Sequence, residues 1–335
     1  MKILTRTQLS GWLDDLAKEY TLIAPHILSG VLLYQPVESS AEVAWDFIRP
    51  ALSAKEAFFP PTERLMLIEK YPQEIKLHET LPKEKQILFA VRPCDVRGIQ
   101  ALDALFIETE PVDSYYARRR ENTLLVGLAC KEMGETCFCT SVGGAPDDSS
   151  GMDLMLTEVE GGYVLEAITD RGARLVGERL PVSDGQWRTG ITSTVANHPK
   201  MPLPTKETWP AFFNDPYWPA MSERCLSCRI CAYVCPTCRC FDVRDEVLPS
   251  GDGQNQFERI RCWDSCAGAT YRRIAGGHNP RAEKGQRLRN RFFCKFYYYP
   301  EQYAFQACTG CGRCIDACPV NIDITEILAY LAERA

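Results

Sequence analysis

No stretch of this 335-residue chain approaches the roughly 18 consecutive apolar residues that a membrane-spanning helix needs. The opening MKILTRTQLSGWLDDL acquires charges too early for the apolar core of a secretory signal. Neither sign of charge dominates: 38 Lys+Arg against 44 Asp+Glu gives −6, which argues against wholesale binding of nucleic acid. There is no G-x-G-x-x-G opening a helix after a strand and no P-loop. GLACKEMGETC and VGGAP carry glycines but fit neither pattern, so no flavin or NAD is expected on this chain. Histidine is scarce, and His278 in GGHNPR reads as a hydrogen-bonded turn residue before it reads as a metal ligand. Hydrophobic residues at 45% and charged residues at 24% are ordinary for a folded protein. The expectation is a soluble, cytoplasmic chain with neither membrane nor nucleic acid as partner.

What is abundant is cysteine. Seventeen, an odd number, in a long chain without an export signal do not suit a disulfide scaffold, which belongs to short secreted proteins. Thiolate ligation of metal is the better account, and the spacing supports it. Cys225-x2-Cys228-x2-Cys231-x3-Cys235-Pro236 and Cys308-x2-Cys311-x2-Cys314-x3-Cys318-Pro319 are one motif written twice, 83 residues apart. In bacterial two-cluster proteins the first three cysteines of such a run hold one [4Fe–4S] cluster and the fourth reaches the other. By that rule Cys225, Cys228, Cys231 and Cys318 form the first ligand set, and Cys308, Cys311, Cys314 and Cys235 the second. Zinc uses paired CxxC arms and needs no third cysteine followed by Cys-Pro. Clusters with every ligand position filled pass single electrons and do no bond chemistry of their own, so the chain is not expected to be catalytic alone.

Upstream, the sequence reads as α/β. Residues 6–19 place Leu9, Trp12, Leu13 and Leu16 on one helical face. The apolar runs 86–92 and 123–129 are too short for ordinary helices and read as buried strands, followed closely by Cys94 and Cys130. Residues 151–200 show strand-like alternation around a Gly-Gly turn at 161–162. Residues 202–220, rich in Pro and Trp, read as an ordered connector, since Trp209, Phe212, Phe213 and Trp218 make a poor flexible linker. ITEILAYLAER closes the chain as an amphipathic helix. The expected organisation is an α/β domain over 1–201, the connector over 202–220, and an α-helical two-cluster ferredoxin-like domain over 221–335 carrying a long insertion.

Cys94, Cys130, Cys137 and Cys139 form a looser group at the ends of the two buried runs, where ligands of open α/β sheets gather. They suit a third [4Fe–4S] cluster. Zinc, or mere packing as small hydrophobes, stand beside that reading; the CxC pair favours metal, with iron–sulfur ahead of zinc. Cys238, Cys240, Cys262, Cys266 and Cys294 remain, and are expected to pack near the first cluster, with further ligation as the other choice.

The 72 residues between Cys235 and Cys308 are locally basic: 257–295 hold ten Lys or Arg against three acidic residues. A solvated face is the bland reading. Arginines that raise a cluster's potential, or a positive surface that guides an acidic redox partner, are the functional ones.

VRPCDVRGIQALD, RRRENTLLVGLACKEMGETCFCTSVGGAP, CLSCRICAYVCPTCRCFD, RCWDSC, GGHNPR and CTGCGRCIDACP, in that order, closely resemble the β subunit of cytoplasmic [NiFe] sulfhydrogenases, with the anaerobic sulfite reductase A subunit a near relative. The likeness runs from about residue 85 to 320. It implies a 4Fe–4S dicluster subunit for electron transport, set between a flavin subunit that exchanges hydride with NAD(P)H and a module of [NiFe] hydrogenase small and large subunits. Equivalent wiring in a sulfite reductase or another flavin-coupled reductase is the alternative. An iron–sulfur module that is only structural or regulatory is the alternative of another class. The resemblance also places Cys94, Cys130, Cys137 and Cys139 in the family's N-terminal pattern.

Overall fold

The computed structural model describes residues 2–177, 180, 200–249 and 255–335. Its strands are β1 (Lys2–Leu4), β2 (Thr21–Leu28), β3 (Val31–Val37), β4 (Thr62–Lys70), β5 (Ile75–Glu79), β6 (Gln86–Val91), β7 (Thr123–Leu128), β8 (Leu154–Val159), β9 (Gly162–Ala167), β10 (Phe241–Leu248) and β11 (Asn255–Trp263). The two apolar runs singled out in the sequence are β6 and β7, and every residue of both is buried. They lie at the centre of a seven-stranded sheet of order β1-β9-β8-β7-β6-β2-β3. β2, β6, β7 and β8 run parallel, while β1, β3 and β9 pair antiparallel at the flanks. Continuous apolar runs are what a strand covered on both faces requires.

Helices supply those covers. α1 (Arg6–Leu16) starts at a Thr5–Gln8 capping box and buries Leu9, Trp12, Leu13 and Leu16, the face expected from their spacing. This face packs with Ile87, Phe89, Leu124 and Val126 on one side of the sheet. α2 (Pro93–Phe106) opens with Pro at its first position, where a missing N–H costs nothing. It buries Val96, Ile99, Leu102 and Phe106 against Leu88, Val91 and Leu125 on the other side, together with Tyr116 of α3 (Ser114–Asn122). The β8–β9 hairpin turns at Glu160–Gly161, one residue before the expected Gly-Gly pair, with Gly162 already in β9, and α4 (Asp170–Val176) is helical where strand-like alternation was expected. The rest of the strand-like stretch expected over 151–200 lies largely outside the described residues.

The C-terminal segment carries α5 (Tyr217–Ser222), α6 (Ile230–Tyr233), α7 (Lys284–Phe293), a π-type turn over Cys294–Tyr298, α8 (Tyr299–Tyr303), α9 (Arg313–Asp316) and α10 (Ile324–Ala332). Its core joins Trp209, Phe212 and Trp218 to Phe292, Phe293, Phe296 and the apolar face of α10. Trp209 stacks on Phe296 with ring centroids 5.6 Å apart. Phe138 and Val142, from the N-terminal half, belong to the same core.

One feature departs from the helical module expected for 221–335. The insertion between the cysteine runs folds as the antiparallel hairpin β10–β11, and β11 pairs with β4 from Cys262↔Thr62 to Asn255↔Lys70. The resulting sheet, β10-β11-β4-β5, takes two strands from each half of the chain. Arg261 of β11 is buried against Glu63 of β4 and Asp113 at the start of α3, an ion-pair network that tightens the junction. Among the described residues no helix is long and apolar enough to cross a membrane.

Candidate iron–sulfur sites

β6 and β7 end side by side, and the segments that leave them carry cysteine. Ala90 takes a left-handed backbone (φ 55°), and the β6–β7 register shifts between Phe89 and Val91. A bulge of this kind bends a strand and re-aims the residues beyond it. Here it turns the chain into Arg92-Pro93-Cys94 and α2. Arg92, buried, donates to the carbonyls of Ile48 (2.8 Å), Leu128 (3.2 Å) and Ala129 (2.8 Å), and to that of Phe47. One guanidinium thus fastens the ends of both strands and the 47–48 loop around one spot.

At that spot Cys94, Cys130, Cys137 and Cys139 line a single pocket, with Arg49, Arg92 and, from the second ferredoxin-type run, Gly310 and Cys311. The four cysteines grouped from sequence are therefore brought together. Arg49 donates to the Cys137 sulfur (3.1 Å) and to Thr136 Oγ1 (2.7 Å), and also pairs with Asp316 of α9. Burial pushes the Cys139 thiol up to about 12 and raises that of Cys130, so a metal must displace their protons when it binds.

The 136–139 loop lies directly on the second run. Phe138 N–H donates to Gly310 carbonyl (2.8 Å). Gly310 has φ +66°, and a Cβ there would stand 2.5 Å from the Cys139 backbone; at Gly312 (φ +76°) it would stand 2.4 Å from the Thr136 carbonyl oxygen. These glycines of CTGCGRC are what let two cysteine segments touch. Arg313, between Cys311 and Cys314, forms a two-pronged ion pair with Asp95 (2.8 and 2.7 Å) and donates to Pro50 carbonyl (2.8 Å). Arg313 is 2% exposed and Asp95 1%. The pair bolts α2, one residue past Cys94, onto the second run.

In the paired runs, Cys235 is an electrostatic neighbour of Cys231 in its own run as well as of cysteines in the other. It is buried and lies within electrostatic reach of Cys308 and Cys314 of the other run. Cys225 and Cys228 lie within similar reach of Cys231. Cys318 accepts from the Ile322 N–H (3.2 Å) and, with Cys225 and Cys314, packs against the C-terminal core. Cys228 is exposed, whereas Cys308 and Cys311 are buried, so the first run reaches the surface and the second lies inside. Burial also raises the Cys308 thiol to about 12 and that of Cys314 to about 11.

Buried cations sit among these sulfurs, Lys295 and Arg291 among them. Lys295 Nζ donates to Cys235 Sγ (3.1 Å), Thr237 Oγ1 (2.8 Å) and Ala307 carbonyl (3.3 Å). Burial disfavours its charge, but the Cys235 and Cys238 sulfurs outweigh that and push its pKa well above the ordinary value. Arg291 is 5% exposed and, among the described residues, its Nε and Nη2 have no hydrogen-bond partner. Its electrostatic neighbours are Cys231, Cys314, Cys238 and Cys235. A buried cation left unpaired is costly, and a thiolate-ligated iron–sulfur cube, net negative and studded with sulfide acceptors, supplies the missing counter-charge. Among the described residues no three His, Cys, Asp or Glu side chains gather tightly enough for one metal ion. A cube is gripped at its corners, so its ligand sulfurs stand wider apart than those of a single ion. The residues present fit the group.

Of the basic stretch, Arg261, Arg287, Arg291 and Lys295 are buried, so much of it serves the interior and not a docking face. Sequence reasoning missed Arg49, Arg92, Asp95 and Arg313 as site-shaping groups. Three of them adjoin a cysteine or lie inside a motif, a signal that was there to be used.

Fold and sites together define an iron–sulfur protein of the two-cluster type. Residues 224–322 match the family model of the 4Fe-4S dicluster domain. The chain is 32% identical over 309 residues, 90% of its length and 89% of the relative's, to the sulfhydrogenase 2 subunit beta of Pyrococcus furiosus. No solved structure matches it. The chain belongs to the family of sulfhydrogenase β subunits.

Proposed function

We propose that this chain is the iron–sulfur wiring subunit of a sulfhydrogenase, relaying single electrons between a flavin subunit that exchanges hydride with NAD(P)H and a [NiFe] hydrogenase module. The ligand sets are Cys225, Cys228, Cys231 and Cys318; Cys308, Cys311, Cys314 and Cys235; and Cys94, Cys130, Cys137 and Cys139 for a third cube. When bound, such cubes accept and release one electron at a time, which is what couples a two-electron hydride carrier to a one-electron chain. The observation that carries the reading is the shared wall of the N-terminal pocket: its four cysteines meet Cys311 of the second run across Gly310. Two cluster sites that abut through backbone contact suit stepwise transfer, and a purely structural site has no need of that adjacency.

The chain's own residues do three jobs in this reading. Arg92 and the Asp95–Arg313 pair hold the N-terminal and second sites in fixed relation. Lys295 and Arg291 place positive charge in the low-dielectric interior, favouring the reduced, more negative state of nearby cubes. Exposed Cys228 marks the first run as the port through which electrons enter or leave.

Purification of the tagged chain from its native cell is expected to bring down a flavoprotein and a [NiFe] large subunit; a siroheme protein in their place would redirect the reading to a sulfite reductase. Electron paramagnetic resonance on that complex should show reduced-cluster signals when NADPH is added, and silence down to the NADPH potential would sink the relay. For the third cube, Cys137→Ser is expected to lower bound iron by about four per chain.

A further inference from the structure

Five cysteines lie outside the twelve assigned above, and packing beside the first cluster was the expectation for them. The structure places four of the five on one pocket. Cys238 and Cys240 come from the loop after the first run, Cys266 from the segment after β11, and Cys294 from the first residue of the π-type turn. Together they line a cavity of about 290 Å³. The fifth, Cys262, stays on β11, where Thr62 Oγ1 approaches its sulfur at 3.6 Å.

We infer that Cys238, Cys240, Cys266 and Cys294 form a further [4Fe–4S] site, a fourth cube beside the paired runs. Its construction repeats that of the N-terminal pocket. There, a CxC pair (Cys137, Cys139) meets two cysteines from separate segments; here Cys238-Arg239-Cys240 meets Cys266 and Cys294 in the same way. Small hydrophobes filling a core would sit among apolar neighbours, but these four share their wall with Arg239, Arg272, Arg281, Arg291 and Lys295, and that wall carries no carboxylate among the described residues. Arg281 Nη1 and Arg291 Nε and Nη2 are buried with no hydrogen-bond partner among those residues. Nitrogens in that condition want an anion with acceptor atoms. A cube on four thiolates is such an anion, and its assembly from equal parts ferrous and ferric iron with sulfide needs no outside oxidant and releases the thiol protons.

The location also makes sense electrically. Cys238 lies beside Cys235 of the second ligand set, and Cys266 has Cys231 of the first among its electrostatic neighbours. The fourth site thus adjoins the paired runs through Cys235 and Cys231, while the N-terminal site adjoins them through Cys311.

The test is iron and sulfide analysis of the full chain after anaerobic reconstitution with ferrous and ferric iron in equal parts and sulfide. Wild type is expected to hold about sixteen irons, and the Cys240→Ser/Cys294→Ser variant about twelve. Cys137→Ser reports on the N-terminal site independently, so the two readings fail separately; combining all three substitutions should leave about eight irons. Equal iron in wild type and the double variant overturns the proposal. Should the double variant fail to fold, iodoacetamide labelling of wild type decides. Cys240, Cys266 and Cys294 are expected to resist alkylation in the iron-loaded chain and to react once a chelator strips the metal. Equal reactivity before and after stripping, with Cys308 and Cys311 still protected before it, refutes the fourth site.

Discussion

Asp95 and Arg313 illustrate how single residues control the geometry of the sites. Both are almost wholly buried and paired through two short hydrogen bonds. Such a pair is weak evidence of net stability, because desolvating two charges offsets most of their attraction, but removing one partner strands the other. Asp95→Leu is therefore expected to cost about 3–5 kcal/mol. Adding Arg313→Met should recover all but about 1–2 kcal/mol, the remainder reflecting the Pro50 carbonyl left without its donor. Anaerobic urea unfolding of the two variants and wild type checks this; a double variant no better than the single would show that the pair does more than satisfy itself. The cysteines around this pair were legible in the sequence because ligand spacing within a run is a local property. The pair was not, since nothing local joins residue 95 to residue 313, although both flank cysteines in motifs already singled out.

At the level of elements, what the sequence displayed clearly was periodicity. The helix with Leu9, Trp12, Leu13 and Leu16 inward, the two continuous apolar strands, and the closing amphipathic helix all fold where their patterns place them. The hairpin β10–β11 was hidden by its composition: β10, FDVRDEVL, is mostly exposed and its charges resemble a solvated loop. Its partner β11 was taken up in a basic stretch, where Arg261 serves an interior ion pair. Turn chemistry was more informative than it looked. Gly310 and Gly312 read as part of a ferredoxin loop, yet their positive φ and missing Cβ are also what bring the 136–139 loop onto that loop. Gly310→Ala is expected to push that loop away and release about four irons from the N-terminal site, with the paired sites retained. Gly11→Ala, in α1 with nothing within 4 Å of the added methyl, should leave iron unchanged. Iron analysis on both variants gives the comparison, and equal iron would mean the close approach is dispensable.

Considered as a whole, the molecule does not separate at the Pro- and Trp-rich connector as its sequence suggests. Three kinds of contact cross that point: the β4–β11 ladder, the burial of Phe138 and Val142 in the C-terminal core, and the seating of Pro236, after Cys235, on α2 at Gly98, where a Cβ would come within 2.4 Å. Each joins the N-terminal α/β layers to the cysteine runs, so the cluster sites lie along a seam and not within a self-contained module. Small two-cluster ferredoxins fold alone because their runs are close in sequence and their core is their own. Here β11, with nine residues, would lose its β4 partner in a fragment of residues 200–335, leaving an open edge and a buried Arg261 without Glu63. That fragment is expected to aggregate or to hold well under eight irons after reconstitution, whereas co-expression with residues 1–199 should restore soluble, iron-loaded protein. A fragment that alone binds its full load of about twelve irons, eight on the paired runs and four on the further site, in stable, monomeric form would mean that the seam only positions the clusters. If it cannot, the seam builds them, and the spacing between sites then arises from the same contacts that make the chain fold.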